Sequence, residues 1–308
     1  MTICESIILG IVEGLTEYLP VSSTGHLIIT QYLLGMADSD ALKAFHICIQ
    51  SGAIIAVLGL YYKRVKSMIQ GTLQALLNLR RSDLPMEERY PTGARLAVNM
   101  VVAFLPAMVL GILFNDTIKS YLFNAPTVAV TWLLGGIVIL VFVRYRKKSG
   151  KGFGGRELEE LTWKDALKIG FMQSIAMCPG TSRSLMTMLG GIFTGLSVAA
   201  AVEFSFLLGL ITLGAATVHD ALLYGKEMVA QIGWWPLIVG TATAWLSAVI
   251  AVKWMVGYLN RHSLSIFGTY RIIAAVVMMI MIFTGLEFSH EEKPETDKKA
   301  ELALCEHR

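Results

Sequence analysis

Hydrophobic positions along this chain fall in long unbroken runs, not at the alternating or three-to-four-residue spacing that marks a surface strand or helix. Leu96 to Asn115, Ser120 to Val143 and Met228 to Val252 contain no charged side chain. Each can cross a hydrocarbon layer about 30 Å thick as a helix of about 20 residues. Bounded by charged or Pro/Gly-containing connections, six spans are predicted, at 41–62, 93–114, 122–143, 198–218, 233–256 and 265–286. Two further apolar stretches, 3–36 and 165–195, are broken in the middle by Pro20-Val-Ser-Ser-Thr-Gly-His26 and Pro179-Gly-Thr-Ser-Arg-Ser184. Unwound polar backbone at membrane depth persists only where it is buried in protein or faces water. Both stretches therefore read as re-entrant helical hairpins, the first entering from outside and the second from the cytoplasm. The expected fold class is an all-α integral membrane protein in one membrane domain, 1–286, with a polar and disordered tail at 287–308.

Charge sets the orientation. Residues 63–95 carry Lys63, Arg64, Lys66, Arg80, Arg81, Arg89 and Arg95, and 144–164 carry Arg144, Arg146, Lys147, Lys148, Lys151, Arg156 and Lys164. Lys and Arg collect in cytoplasmic loops, so both segments belong inside. Alternate threading then puts loops 115–121 and 219–232 outside, with only Lys119 and Lys226, and 257–264 inside. Composition agrees: Asp, Glu, Lys and Arg are 16% of the chain, against about 25% in soluble domains. The net charge of +3 comes without a basic stripe interleaved with aromatics, so no nucleic-acid partner is expected. Cys4, Cys48, Cys178 and Cys305 match no zinc or CxxC spacing. Glu5, Glu13 and Glu17 interrupt what would be the apolar region of a cleavable signal peptide.

The two broken stretches align at an offset of 159. Pro20 falls on Pro179, Ser22 on Thr181, Ser23 on Ser182, Thr24 on Arg183, Gly25 on Ser184 and Phe45 on Phe204; one residue of slippage upstream sets Gly10 on Gly170 and Glu13 on Gln173. Each copy, 3–143 and 165–286, holds one hairpin and three spans, and 144–164 joins them. Three is odd, so the second copy inserts upside down, and inverted repeats bring their broken helices together near the midplane. Two polar turns then face one cavity.

Their residue types suit a phosphate. Ser22, Ser23, Thr24 and Gly25 open a helix whose amides can meet phosphoryl oxygens, as can Thr181, Ser182 and Ser184 in the second turn. Arg183 can grip two oxygens in its planar fork and neutralise transition-state charge. His26 is a candidate general base or acid. Glu13 and Glu17, four apart on one helix face, can hold a divalent cation, Mg or Ca, or orient His26. Carboxylates inside an apolar segment are costly and mark function, although the same spacing also suits a solvated helix face. His46 and Glu203, near span ends, read as interhelical hydrogen-bonding groups.

The motif Glu13-Gly-Leu-Thr-Glu17-Tyr-Leu-Pro-Val-Ser-Ser-Thr-Gly-His26, taken with Pro179-Gly-Thr-Ser-Arg-Ser184, closely resembles the undecaprenyl-diphosphate phosphatase family of integral-membrane enzymes associated with bacitracin resistance. Further echoes are Ile49-Gln50-x-Gly52, Gly190-Gly191, Glu203-Phe-Ser-Phe-Leu-Leu208 and Phe267-Gly-x-Tyr-Arg271. The resemblance implies hydrolysis of the C55 lipid diphosphate to the monophosphate carrier, helped by a divalent cation, at the outer face of the bacterial cytoplasmic membrane. It implies catalytic roles for Glu17, Ser23, His26 and Arg183 but leaves the attacking group open. The preferred expectation is Ser23 forming a phospho-enzyme with His26 as its base, with a directly attacking His26 or an activated water as alternatives. Expected partners are the prenyl diphosphate, membrane lipids and a second copy in a homodimer. Leu185 stands where the family usually has glycine, and His46 where it usually has Asp or Glu. The rival reading is a lipid-phosphate transporter or flippase, which needs inverted repeats but no general base.

Overall fold

The computed structural model describes residues 1–284 apart from 38, 80, 82, 123 and 151–153, and for 40 and 115–121 the backbone alone. The tail expected at 287–308 lies outside the described residues. Every regular element described is a helix, save one isolated bridge between Arg156 and Leu196.

Six helices are long and apolar enough to cross a membrane: Ala41–Leu60, Thr92–Phe114, Ala125–Lys148, Val198–Ile232, Trp234–Leu259 and Ser265–Phe283. In chain order the helices are α1 (Ile3–Thr16), α2 (Ser23–Leu33), α3 (Asp40–Leu60), α4 (Tyr62–Leu77), α5 (Met86–Arg89), α6 (Thr92–Leu122), α7 (Ala125–Lys148), α8 (Trp163–Ile175), α9 (Arg183–Phe193), α10 (Val198–Ile232), α11 (Trp234–Leu259) and α12 (Ser265–Phe283).

Three segments expected as loops are helical. Residues 62–77 form α4, whose apolar face carries Ile69, Leu73 and Leu76 exposed. Its basic residues dilute the hydropathy that would have marked it as a helix in the sequence. Residues 219–232 complete α10, whose 35 residues span about 52 Å at 1.5 Å each, well beyond the hydrocarbon layer. Residues 115–121 likewise continue α6.

The broken stretches are built alike. Helix α1 starts with a capping box between Thr2 and Glu5, and α8 with one between Thr162 and Asp165. Helices α2 and α9 each run 11 residues, each follows a serine of positive φ (Ser22, +71°; Ser182, +77°), and each is followed two residues on by a positive-φ glycine, Gly35 or Gly195. Those serines are the only non-glycine residues of positive φ among the described ones, a backbone state that costs an L-residue and persists where its surroundings impose it. These pairs lie 160 apart, not 159. The proline has moved within the turn, standing two residues before Ser22 and three before Ser182, so aligning the prolines displaces the helix starts by one.

Packing positions the two turns. Helix α1 lies along α11, α8 along α6, α3 along α10 and α7 along α12. The first two contacts are close because glycine removes the side chain: Gly10 and Gly14 meet α11 at Gly240, Ala244 and Ser247, and Gly170 meets α6 at Ala103 and Pro106. At one end of the molecule Arg64 bonds both Glu203 of α10 and Glu159 at 2.6 Å, so Glu203 serves as an interhelical polar group.

Candidate active site

Helix α1 ends where its backbone has carried Glu13 and Glu17 one turn apart into the interior, and both are buried. Glu17 is the joint of the site. Its Oε2 accepts a hydrogen bond from Ser23 Oγ at 2.6 Å, and its Oε1 pairs with Arg183 Nη2 at 3.0 Å. Residues from both turns therefore meet on one carboxylate. Arg183 Nη1 donates to the Ser205 carbonyl at 2.9 Å, its guanidinium carbon lies 5.3 Å from the centre of the Tyr18 ring, and Gly209 leaves room for it on α10. Arg183 Nε, the Tyr18 hydroxyl and both carboxylate oxygens of Glu13 are buried without a hydrogen-bond partner among the described residues. Buried polar atoms in native proteins have partners, so this concentration of unpaired acceptors and donors marks a place built for a polar ligand.

Ser22 makes no side-chain cap to α2, which leaves the first amides of that helix, at Ser23, Thr24 and Gly25, available to an anion. Gly25 packs against the Trp132 indole, where a larger residue would collide. The second turn is spent differently. Ser184 Oγ, fully buried, donates to the Leu19 carbonyl at 2.9 Å, and Ser182 Oγ lies 3.0 Å from Ser184 Oγ and caps the Leu185 amide. Thr181 is buried in the turn, its amide bonded to Cys178. Leu185 is fully buried in the core. Ser184 of the second turn thus ties the turns to each other, while Ser23 of the first is engaged in the Glu17 cluster.

His26 is not bonded to Ser23. Its Nδ1 lies 2.7 Å from the Ser22 carbonyl oxygen and its Nε2 2.5 Å from the Tyr270 hydroxyl. Next to Tyr270, Arg271 is completely buried and joins both turns: Nη1 donates to Pro20 O at 3.3 Å, and Nη2 to Gly180 O at 2.8 Å and Thr131 O at 3.0 Å. Thr131 Oγ1 in turn donates to Pro179 O. Sequence reasoning left Tyr270 and Arg271 out of the site. The signal was present, since an arginine within an apolar span obeys the rule that singled out Arg183.

Among the described residues no group of three or more His, Cys, Asp or Glu could hold a metal ion. Glu17 is engaged on both oxygens, whereas the Glu13 oxygens accept no close hydrogen bond, the Gln50 side chain being their hydrogen-bonding neighbour with Glu17 and Arg183 nearby. A single carboxylate of this kind can supply one oxygen ligand to a hard divalent cation whose remaining ligands come from elsewhere.

Residues 6–277 match the family model described as Bacitracin resistance protein BacA. The chain is 41% identical over 283 residues to Undecaprenyl-diphosphatase 2 of Rhodospirillum rubrum, covering 92% of this chain and 96% of that one. It is 40% identical to the Undecaprenyl-diphosphatase of a Polaromonas species, with the same coverage, and 39% identical to that of Albidiferax ferrireducens over 91% of this chain and 95% of the relative.

Proposed function

The chain belongs to the bacitracin resistance protein BacA family, and from that premise we propose that it hydrolyses undecaprenyl diphosphate to undecaprenyl phosphate and inorganic phosphate at the Glu17, Ser23 and Arg183 cluster. The observation that carries this reading is the single carboxylate of Glu17 shared between a hydroxyl of one turn and a guanidinium of the other. Glu17 is placed to accept the Ser23 proton as Oγ attacks the distal phosphorus. The Oγ–P bond forms as the anhydride P–O bond breaks and undecaprenyl phosphate leaves. Water then attacks the phosphoserine, releasing phosphate and restoring the Ser23 hydroxyl. Arg183 and the first amides of α2 hold the phosphoryl oxygens, and in phosphoryl transfer such positioning and charge neutralisation supply most of the catalysis. Glu13 would hold the divalent cation, Mg or Ca, which when bound neutralises diphosphate oxygens.

The paired caps, strained serines and glycines, and the exchange of partners in α1 on α11 and α8 on α6, support an inverted repeat of two re-entrant hairpins. With the basic connections inside, the site opens to the outer face of the cytoplasmic membrane, where the spent carrier of cell-wall precursors is regenerated. Purified protein incubated with undecaprenyl diphosphate and Mg or Ca should release free phosphate, and Ser23→Ala and Arg183→Ala should not. No release by the unaltered protein with either metal would overturn hydrolysis in favour of lipid transport.

A further inference from the structure

The two ring nitrogens of His26 meet neighbours of unlike chemistry. The Ser22 carbonyl at Nδ1 can only accept, so Nδ1 carries a hydrogen. In the neutral ring Nε2 is then an acceptor, and the hydrogen between it and Tyr270 comes from the phenol. The His26 and Tyr270 rings are stacked, with centroids 5.6 Å apart and planes 8° apart, and Trp132 closes on the imidazole at 4.8 Å. Neither partner is loosely placed. Ser22 holds the left-handed backbone state, and Tyr270 adjoins Arg271, which grips carbonyls of both turns. Tyr270 itself is 44% exposed, whereas Arg271 is fully buried, so the phenol is anchored at its backbone but not sealed into the core.

We propose that Tyr270 is a positioning residue for His26: its hydroxyl donates to Nε2, holds the imidazole as the Nδ1–H tautomer, and yields that hydrogen bond when Nε2 turns to phosphate or water. The proposal rests on the hydrolase reading of the same site. It is tested by kcat and KM for phosphate release from undecaprenyl diphosphate in Tyr270→Phe, with nitrogen-15 spectra of histidine-labelled protein in which His26 is assigned by its loss in His26→Asn. Phenylalanine preserves the stack and removes only the donor. The expected result is a kcat lowered roughly 10- to 100-fold, the range for losing a group that orients another. KM should stay within about twofold, and the Nε2 resonance of His26 should move while Nδ1 stays protonated. A kcat within about twofold of the unaltered protein, or an unmoved Nε2 resonance, would overturn it. If Tyr270→Phe fails to fold, 3-fluorotyrosine at position 270 keeps ring and hydroxyl with a more acidic phenol. A displaced Nε2 resonance then supports the proposal and an unmoved one overturns it. An unaltered protein that releases no phosphate sinks the hydrolase reading, while the spectra still decide the His26–Tyr270 pairing.

Discussion

At the scale of single residues, Glu17 concentrates the site's chemistry, because removing its charge strips two partners at once. Glu17→Gln keeps the shape but leaves Arg183 without its counter-charge and Ser23 without an ionised acceptor. The loss of a positioned proton acceptor lowers kcat by about 10²-fold or more. Phosphate release at saturating substrate measures this, and an unchanged kcat would remove Glu17 from the proton path. Glu13 makes a different prediction. As the buried carboxylate proposed to hold the cation, Glu13 predicts metal dependence: Glu13→Gln should raise the half-saturating Mg concentration by about tenfold or more and be compensated at high Mg. A variant equally inactive at every Mg concentration would point to a role other than holding the cation.

At the scale of elements, the two helix–turn–helix pairs are held in register by a side chain from elsewhere. Arg271 of α12 spans carbonyls of residues 20, 131 and 180, and hydrogen bonds from a charged donor contribute about 1.5–3 kcal/mol each. Arg271→Met should therefore lower both thermal stability in detergent and kcat, whereas Arg183→Met, with its two hydrogen bonds, should lower kcat more than stability. Equal thermal midpoints for Arg271→Met and the unaltered protein would rule out the clamp. The turns were legible because proline, glycine and hydroxyls interrupt otherwise apolar helices, and Glu17, Ser23 and Arg183 stand out as polar groups in lipid-like surroundings. Tyr270 was not, because it sits inside a span that looks uniform and its partner, His26, lies 244 residues away in the chain. Arg271 carried the signal of an arginine in an apolar span, but its partners are backbone carbonyls, which leave no trace in the sequence. Helix α4 escaped notice for the opposite reason: its Lys63, Arg64 and Lys66 resemble a loop, and only the small face of Gly71 against Gly93 and Ala94 of α6 shows why it packs.

At the scale of the whole molecule, the basic connections make two predictions, one from an ion pair that binds them to the helices and one from the orientation proposed for the chain. Burial alone would raise the Glu159 carboxyl, but its hydrogen bonds and the Arg64 charge hold it below the usual carboxylate range. A folded value below the unfolded one contributes stability above about pH 4.3 that is lost as pH falls through the folded value. Thermal midpoints in detergent should thus drop on acidification, and less steeply in Arg64→Gln; identical slopes would show that the pair contributes nothing. The same connections carry the proposal for where the site opens. Lys66, Lys147 and Lys226 are exposed, and the proposed orientation, argued from the excess of Lys and Arg, puts the first two inside and the third outside. In a background with Cys4, Cys48, Cys178 and Cys305 replaced, single cysteines at 66 and 147 should react with a membrane-impermeant maleimide only after permeabilisation, and one at 226 in intact cells. A site facing outward requires that pattern, since α1 begins on the side where α10 ends if the second half is inverted. Labelling at 147 from outside would reverse the orientation, and labelling at 66 and 147 from opposite sides would remove the inverted repeat on which the meeting of the two turns depends.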